Sequence, residues 1–508
     1  MSPSRVRVAA IWTISAWPAL NFVMLNLREI ALRDLRSCLW IALLTLALGS
    51  AGQALHWFAN RRGRGGVVVV AWLALVLLLF GYSLVGDALD AINEHFGLLI
   101  PAMPAWSCLC VLCAILVFLS RGREKVHVAA GTFCIVVGAA TTILFGRALL
   151  SFEPPPPVAA IDPTPVAAKP ARLPGLNVYY VILDSYAGRR SLAAQTGFDN
   201  GEFLSRMAQR GFTEASTERS NYLQTAQTLA GIFALDYPFS DDPRSWRDTG
   251  SLYPDLFARP TPPALLRRAA EDGYVTWYSP TFWFGCGHRH LKCIGQRSVF
   301  EPDYLTRSFL APTPFGHSLT VAAMGVYDAL TMFRLELPAL LATGKPFFVF
   351  AHHMSPHPPF AIDAQCRPRS VSSVNRKGWV EAERDAYAGA VKCVNREVET
   401  LVDAILHVNP QALIVLQGDH GSAFSVQWDR PMAAWSADSI AERSSYLNLI
   451  RAPGDCKRWL DRPLGQVNTA RFVLACLEGK APSYLPERTY LSTYSPGKEW
   501  GEFRRLPD

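Results

Sequence analysis

Charged residues are scarce in this chain. Asp, Glu, Lys and Arg make up 18% of its 508 residues, whereas 50% are hydrophobic, and the mean hydropathy is +0.14. The sequence also lacks zinc-finger spacing and any tract that mixes basic and aromatic residues. The net charge of +7 therefore does not indicate a nucleic-acid partner, and we expect none. The chain is too long for one ordinary domain, so its halves must be read separately.

Apolar residues concentrate in the first 151 positions. A membrane span needs about 20 mostly apolar residues, and five stretches meet that requirement: Val8–Leu25, Leu39–Phe58, Val67–Leu84, Leu98–Leu119 and Val128–Leu150. A secretory signal peptide is the alternative for the first stretch. Cleavage there would not release a soluble protein, because four more stretches follow. The sequence thus predicts a five-span membrane domain over residues 1–151.

The charges of the short loops predict the orientation. Basic residues follow the second and fourth stretches: Arg61, Arg62, Arg64, Arg121, Arg123 and Lys125. The loop after the third stretch is acidic, with Asp87, Asp90 and Glu94. Cationic short loops stay in the cytoplasm, so everything after the fifth stretch should lie outside. We expect a multi-pass protein of the bacterial inner membrane with an extracytoplasmic, periplasmic domain.

Residues 152–175 are rich in proline and predict an extended linker. Residues 176–508 read like a soluble catalytic domain. This domain contains six cysteines: Cys286, Cys293, Cys366, Cys393, Cys456 and Cys476. An even number in an oxidising compartment predicts disulfides, and Cys286–Cys293 is the nearest pair, although sequence does not fix the connectivity.

Three short apolar runs predict buried parallel strands: Asn177–Leu183, Pro346–Ala351 and Ala412–Leu416. Residues Glu381–Leu406 carry apolar side chains at three- and four-residue steps, which predicts a helix with one buried face. Strands that alternate with helices predict an α/β sandwich with a mostly parallel central sheet.

The residues that follow these strands suggest a metal site. Asp184 directly follows the first strand, and Asp419 and His420 follow the last. Ligands bind at the carboxyl ends of the strands in such a sheet. Two carboxylates and an imidazole there could hold a divalent cation. The alternative is that Asp419 and its glycine neighbour are ordinary turn residues.

A hydroxyl nucleophile is expected near this site. The segment Ser220–Tyr237 reads as a loop that enters a helix, and a hydroxyl at a helix N-terminus suits an anionic ester. A bound metal would activate the hydroxyl of Thr225. Thr225 could instead be only an N-cap residue, and Thr228 is the rival nucleophile.

The third run ends in several histidines. His352 and His357 could hold a substrate phosphate, protonate a leaving group or bind a second metal. Strand alternation points His353 the other way and predicts a structural role. The alternative for all of them is an ordinary surface turn.

Four segments together carry a resemblance to a known family: NVYYVILDSYAG, SNYLQTAQTLAG, FVFAHHMSPHPPF and IVLQGDHG. With the five-span layout, they resemble the sulfatase-like branch of the alkaline phosphatase superfamily. Within it they look like membrane-anchored lipoteichoic acid synthases and lipid A phosphoethanolamine transferases.

The resemblance implies that Asp184, Thr225, Asp419 and His420 hold one divalent metal, zinc or manganese first and magnesium or calcium as alternatives. It also implies that His357, and with less direct correspondence His352, bind substrate. Arg443 lies downstream of the DHG motif, with its role open. Asp184 departs from the glutamate common in those transferases, which leaves the substrate open.

Sulfatases that use formylglycine carry a Cys or Ser in a C/S-x-P-x-R motif early in the domain. The nearest match here is CRPRS, Cys366–Ser370, which ends in serine and follows the histidine motif. We interpret it as a chance match that contains a disulfide cysteine, so a phospho-threonine intermediate is better supported.

The leading hypothesis is transfer of a phospho-head group from a membrane lipid to an envelope glycan or glycolipid through Thr225. The alternatives are a phosphodiesterase, phosphatase or sulfatase-like hydrolase, or a catalytically silent membrane scaffold. The intact set of Asp184, Thr225, Asp419 and His420 argues against the scaffold.

Overall fold

The fold is described from a computed structural model. The described residues are 3–27, 30, 36–96, 100, 102–152, 173, 175–239, 262–279, 292–294, 304–316, 329–358, 360, 362–367, 379, 381–426, 430–492 and 503–507. They fall into two compact units. The membrane unit comprises residues 1–157 with 300–322, and the catalytic unit comprises residues 158–299 with 323–508. The predicted linker lies almost wholly outside the described residues.

The membrane unit begins with six helices: α1 (Pro3–Leu25), α2 (Arg36–Asn60), α3 (Gly65–Phe80), α4 (Tyr82–Phe96), α5 (Ala102–Leu119) and α6 (Glu124–Leu150). Within the described residues, α1, α2, α5 and α6 are each long and apolar enough to cross a membrane. The number rises to five if α3 and the start of α4 form one bent span. The expected multi-pass membrane unit is confirmed.

The third predicted span, Val67–Leu84, is not a continuous helix. It breaks at Gly81, and the two helices meet at a bend of 54°. The amide of Gly81 still donates to the carbonyl of Leu77, so α3 closes normally before the chain turns. The Trp106 indole on α5 donates to the carbonyl of Leu78, which packs α5 beside this break.

The catalytic unit contains the predicted central sheet, which has seven described strands and is mostly parallel. Its strands are β1 (Val178–Leu183), β2 (Thr213–Glu214), β3 (Val275–Ser279), β4 (Lys292–Cys293), β5 (Phe347–His353), β6 (Leu413–Gly418) and β7 (Asn448–Arg451). They run in the order β2-β7-β6-β1-β5-β3-β4. The pairs β6–β1, β1–β5, β5–β3 and β3–β4 are parallel, and β7 is antiparallel to both β6 and β2. In a separate two-stranded sheet, β8 (Tyr490–Ser492) pairs antiparallel with β9 (Phe503–Arg505).

Helices of this unit are α7 (Arg189–Thr196), α8 (Gly201–Gln209), α9 (Thr225–Ala234), α10 (Ala264–Glu271), α12 (Ala329–Ala342), α13 (Arg384–Val408), α14 (Ala437–Ser444) and α15 (Gln466–Glu478). Short 3₁₀ turns are Glu381–Glu383, Met432–Ala434 and Gly454–Trp459. One further helix, α11 (Tyr304–Leu310), belongs to the membrane unit.

The strands alternate between two apolar layers. Tyr179, Val181 and Leu183 face the layer that contains α12 and α13, whereas Val178, Tyr180 and Ile182 face the layer that contains α9, α10 and α15. Burial of both faces explains why the strands read as continuous apolar runs. The predicted α/β sandwich and the predicted helix at Glu381–Leu406 are both confirmed. The parallel strands also end together, which brings the residues after them to one edge.

Candidate functional site

The register of the central strands places the predicted acidic residues side by side. Leu183, the last residue of β1, pairs with His353 of β5 and with Gly418 of β6. Asp184 and Asp419 are therefore the first residues beyond two adjacent parallel strands. Both side chains are fully buried. The amide of Asp184 donates to the carbonyl of His353 at 2.9 Å, so the sheet continues up to the carboxylate.

Asp419 is held by the turn after β1. Its Oδ1 accepts hydrogen bonds from the amides of Ser185, at 2.8 Å, and His420, at 2.9 Å. Ser185 has a φ of 60°, a left-handed conformation that is costly for a non-glycine residue. This conformation turns its amide toward Asp419, while its hydroxyl donates to Asp184 Oδ1 at 3.1 Å.

His420 lies between the carboxylates and the helix start. Its Nδ1 is 3.1 Å from the carbonyl of Gly421, an arrangement that assigns the proton to Nδ1. The lone pair on Nε2 then faces the Thr225 hydroxyl and the Arg443 guanidinium, at 3.1 and 3.0 Å, and a cation bound there would replace these hydrogen bonds. A Cβ on Gly421 would meet the carbonyl oxygen of Glu442 at 2.1 Å, so this turn requires glycine.

Thr225 is the first residue of α9, and Gln224 occupies the N-cap position. The N-cap interpretation of Thr225 is therefore wrong. Its Oγ1 lies 3.1 Å from His420 Nε2. The hydroxyl of Thr228 is directed elsewhere, since it donates to the carbonyls of Tyr222 and Asp419 at 3.3 and 3.2 Å. The structure thus brings Thr225, and not Thr228, to face the imidazole.

The three histidines after β5 occupy different surroundings. His352 is fully buried, and its Nε2 is 3.1 Å from Asp184 Oδ2. His357 is half-buried, and its Nδ1 donates to the carbonyl of Pro358 at 2.5 Å. His352 therefore does not lie in an ordinary surface turn. His353 is also buried, as the last residue of β5.

Burial and neighbouring charges give the two carboxylates different affinities for protons. Burial, together with the negative charge of Asp184, raises the pKa of Asp419 to about 7. Burial opposes ionisation of Asp184 as well, but the charges of His357 and His352 outweigh it and hold its pKa below the usual value. Burial and the charge of Arg443 lower the pKa of His420 well below its ordinary value.

Arg443 is a site residue whose role the sequence left open. It lies on α14 and is 6% exposed. Its Nε donates to the carbonyl of Leu223 at 2.8 Å, and its Nη1 donates to the carbonyl of Gly421 at 2.8 Å. Its Nη2 lies 3.0 Å from His420 Nε2. A buried guanidinium thus lies beside the imidazole and joins the loop before α9 to the loop after β6.

Glu442 and Ser185 were missed from the sequence. Glu442 is buried, and its carboxylate accepts hydrogen bonds from the Ser422 hydroxyl at 2.6 Å and from the amides of Phe424 and Ser425 at 2.7 and 2.9 Å. It thereby fixes the loop that follows His420. The signal available was its place beside Arg443, downstream of the DHG motif, but its partners Ser422, Phe424 and Ser425 lie 17–20 residues earlier in the chain.

The cysteines of the catalytic unit form disulfides, as predicted. Cys366 is bonded to Cys393 and Cys456 to Cys476. Cys293 is also disulfide-bonded, while its predicted partner Cys286 lies outside the described residues. The CRPRS match thus begins with a disulfide cysteine, and its last three residues lie outside the described residues.

The donor set fits a divalent cation. Ligand atoms of Asp184, Asp419 and His420 all lie within 4.8 Å of one another, and all three residues are buried. Two adjacent carboxylates repel each other in such surroundings, and this repulsion adds to the effect of burial in raising the pKa of Asp419. A divalent cation would relieve this repulsion, and carboxylate oxygens with one imidazole nitrogen suit it.

The sequence profile of the sulfatase family matches residues 177–453, more than half of the chain. The chain belongs to the sulfatase family, within the alkaline phosphatase superfamily, and is an enzyme of that family. This match includes β1, the start of α9, β5 and β6, and so spans the whole candidate site. A search of curated proteins found no match.

Similar solved structures include membrane-bound and soluble enzymes. Integral membrane lipooligosaccharide phosphoethanolamine transferase A from Neisseria meningitidis has 11% identity and a TM-score of 0.40, over 92% of this chain and 95% of that one. The periplasmic domain of EptC from Escherichia coli, in complex with zinc, has 14% identity and a TM-score of 0.38, over 63% and 87%. The lipoteichoic acid synthase LtaP from Listeria monocytogenes has 12% identity and a TM-score of 0.35, over 63% and 78%. Because these TM-scores and identities are low, the structural similarity assigns no role to any residue of this chain.

Proposed function

We propose that this enzyme transfers a phospho-head group from a membrane lipid to an envelope glycan or glycolipid, with Thr225 as the nucleophile. One observation carries the proposal. The Thr225 hydroxyl lies 3.1 Å from His420 Nε2, at the buried start of a helix and beside the two carboxylates that follow β1 and β6. The membrane unit favours a lipid as donor, because it keeps the chain at the bilayer.

The position of Thr225 suits attack on an anionic ester. Thr225 is the first residue of α9, where the positive end of the helix dipole lies. Helix geometry leaves the first amides without an intrahelical acceptor, until Gln227 and Thr228 donate to the carbonyl of Gln224. Arg443 adds a fixed positive charge beside His420. Both features would attract a phosphate group and stabilise negative charge that develops on its oxygens.

Asp184, Asp419, His420 and Thr225 would hold one divalent cation, zinc or manganese in preference to magnesium or calcium. When bound, the cation would lower the pKa of the Thr225 hydroxyl and offset the charge on the phosphate oxygens. The hydrogen bonds from Ser185 and from the His420 amide keep the Asp419 carboxylate in one orientation. His352 does the same for Asp184.

The reaction proceeds in two displacements. Thr225 Oγ1 gives its proton to the Asp419 carboxylate, with which it shares a hydrogen bond, and attacks phosphorus while the bond between phosphorus and the lipid oxygen breaks. His357, the more accessible histidine, binds the phosphate and can give a proton to the departing oxygen. An acceptor hydroxyl then gives its proton to His357 and attacks the phospho-threonine, and the bond between phosphorus and Thr225 Oγ1 breaks as the proton on Asp419 returns to that oxygen. A water acceptor would make the same intermediate end in hydrolysis.

The domain bounds and the location complete the proposal. We place the membrane domain at residues 1–151, the linker at 152–175 and the catalytic domain at 176–508, on the periplasmic side of a bacterial inner membrane. Disulfides in the catalytic unit support an oxidising compartment.

The test is mass spectrometry of the threonine adduct. The intact protein is incubated with native lipids and quenched in acid, and the peptide that contains Thr225 is analysed for added mass. We expect a phosphorus-containing adduct on Thr225 whose mass identifies the transferred group. Product analysis with added glycolipid then separates transferase from hydrolase. An unmodified Thr225 during measurable turnover would refute the proposed intermediate.

A further inference from the structure

A short segment of the sulfatase-matched sequence belongs to the membrane unit. Residues Tyr304–Gly316, which we name the anchor segment, lie within the matched stretch 177–453. Their contacts nevertheless group them with residues 1–157 and not with the surrounding catalytic sequence. The chain therefore passes from one unit to the other at three points, after residues 157, 299 and 322.

The anchor segment contacts three of the apolar helices. Phe309 is only 4% exposed, and its ring centroid lies 5.6 Å from that of Phe22 on α1 and 5.3 Å from that of Phe80 on α3. The helix α11 of this segment also packs against α2. Aromatic pairs at these separations add to the gain from burying the rings. The contact thus has an apolar centre in which Phe309 is the main side chain.

Backbone hydrogen bonds fix the rest of the segment. The amide of Ser83, at the start of α4, donates to the carbonyl of Pro312 at 3.1 Å. Thr313 closes the following turn, since its Oγ1 accepts from the amide of Gly316 at 3.2 Å. Within this turn Phe315 is 64% exposed, next to helices that are themselves apolar outside. An exposed aromatic ring at this position suits the lipid interface.

The contacts all lie at one end of the helix bundle. Phe22 is near the end of α1, and Phe80 is the last residue of α3. The basic residues Arg61 and Arg64 lie at the other end of α3, before its start at Gly65. Loop charge assigns the basic end to the cytoplasm. The anchor segment is thus at the extracytoplasmic ends of these helices, the side on which sequence following the fifth span must lie.

We infer that the anchor segment is a second attachment of the catalytic sequence to the membrane: it docks on the extracytoplasmic ends of α1, α2 and α3 and presents Phe315 to lipid. The linker after α6 is then not the only tie between the two units. The inference is independent of the transfer chemistry, because it concerns only where the catalytic sequence is held.

Cutting the linker tests this attachment. A site for a sequence-specific protease is inserted within residues 153–172 of the full chain, and membranes that contain the protein are cut and washed in high salt. We expect most of the catalytic fragment to stay with the membranes. Phe309→Asp places a charge in the apolar contact and should release most of it. Leu335→Asp changes a leucine that is 70% exposed on α12 in the catalytic unit, and should release none beyond the unsubstituted level.

A crosslink checks the same contact without a disruptive charge. The pair Phe22→Cys and Phe309→Cys, treated with a short thiol crosslinker, should join the two fragments after the linker is cut. The pair Phe22→Cys and Leu335→Cys, and the chain with native cysteines only, should leave them separate. Release of the unsubstituted catalytic fragment on cutting would overturn the inference. It would also be overturned if the Phe309→Asp fragment stayed with the membranes and the Phe22→Cys, Phe309→Cys pair gave no crosslink.

Discussion

At the scale of single residues, the two threonines of α9 are one helical turn apart and yet differ in surroundings. Thr225→Ala should abolish turnover, because it removes the hydroxyl that faces His420. A loss of several orders of magnitude in rate is expected for a covalent nucleophile.

Thr228→Ala should reduce the rate much less. It should instead lower the free energy of unfolding by about 1–3 kcal/mol, because buried hydrogen bonds are lost. Initial rates and thermal melting check both.

His357→Ala should fall between the two threonine variants. The half-buried imidazole would no longer bind the phosphate group, but the nucleophile and the predicted metal ligands would remain. We expect a reduced rate with the adduct still on Thr225. An adduct on Thr228, or near-normal turnover by Thr225→Ala, would contradict this assignment.

Removal of a predicted metal ligand gives a separate prediction. Asp419→Ala or His420→Ala should lose most bound metal, since each removes one of three buried ligands, while the catalytic unit stays folded. Elemental analysis of the purified protein measures the metal content directly. His407→Ala, at an exposed position near the end of α13, is the matched control and should keep its metal. Full activity of either ligand variant in the presence of chelator would show that the site is elsewhere.

At the scale of elements, the sequence predicted the central strands and the long helix closely, because buried parallel strands leave continuous apolar runs and a half-buried helix leaves a periodic one. The proximity of Asp184, Asp419 and His420 could be predicted because they directly follow such strands. Arg443 and Glu442 could not receive roles in this way, since their partners Leu223, Gly421 and Phe424 are brought near only by the tertiary fold.

The interruption of the third predicted span was also not predictable. Val67–Phe80 is uniformly apolar, and the Gly81-Tyr82-Ser83 sequence that follows does not by itself mark a bend within an apolar stretch. The break at Gly81 coincides instead with contacts from distant sequence: Trp106 bonds the carbonyl of Leu78, and Pro312 accepts from Ser83. Hydropathy predicts how long an apolar segment is, but it does not identify the distant residues whose contacts accompany a bend in the helix.

The disulfide between Cys366 and Cys393 joins the loop after β5 to α13 and closes a loop of 27 residues. Chain-entropy arguments give such a crosslink about 3–4 kcal/mol of stabilisation. The double variant Cys366→Ser, Cys393→Ala should therefore lower the melting temperature of the catalytic unit, with less effect on the helices of the membrane unit. Circular dichroism and proteolysis during heating would follow the two units, and an unchanged melting profile would contradict the prediction.

At the scale of the whole molecule, the membrane and catalytic units are interleaved in sequence. A chain divided into an anchor, a linker and an enzyme would cross between units once. This one crosses three times, because residues 300–322 return to the membrane unit. Truncation after the linker would therefore leave an apolar segment with Phe309 unpaired in the soluble fragment. The full-length chain is the appropriate form for assays and for the crosslinking described above.

Topology is the prediction that belongs to this scale. A reporter fused after Asp508 should be active only outside the cytoplasm, and one fused at Gly63 only inside. Loop charge predicts this orientation, and the anchor segment supports the placement of Gly63 and Asp508 on opposite sides. The basic loop Arg61–Arg64 lies at one end of the helices, and the anchor segment from the catalytic sequence lies at the other, against Phe22 and Phe80. The activities of the two reporters, one after Asp508 and one at Gly63, measure the orientation. Reversed activities would overturn the orientation that loop charge predicts. Reporters active on the same side would overturn the five-span model, because the anchor segment would then lie on the side opposite the helix ends at Phe22 and Phe80 that it contacts.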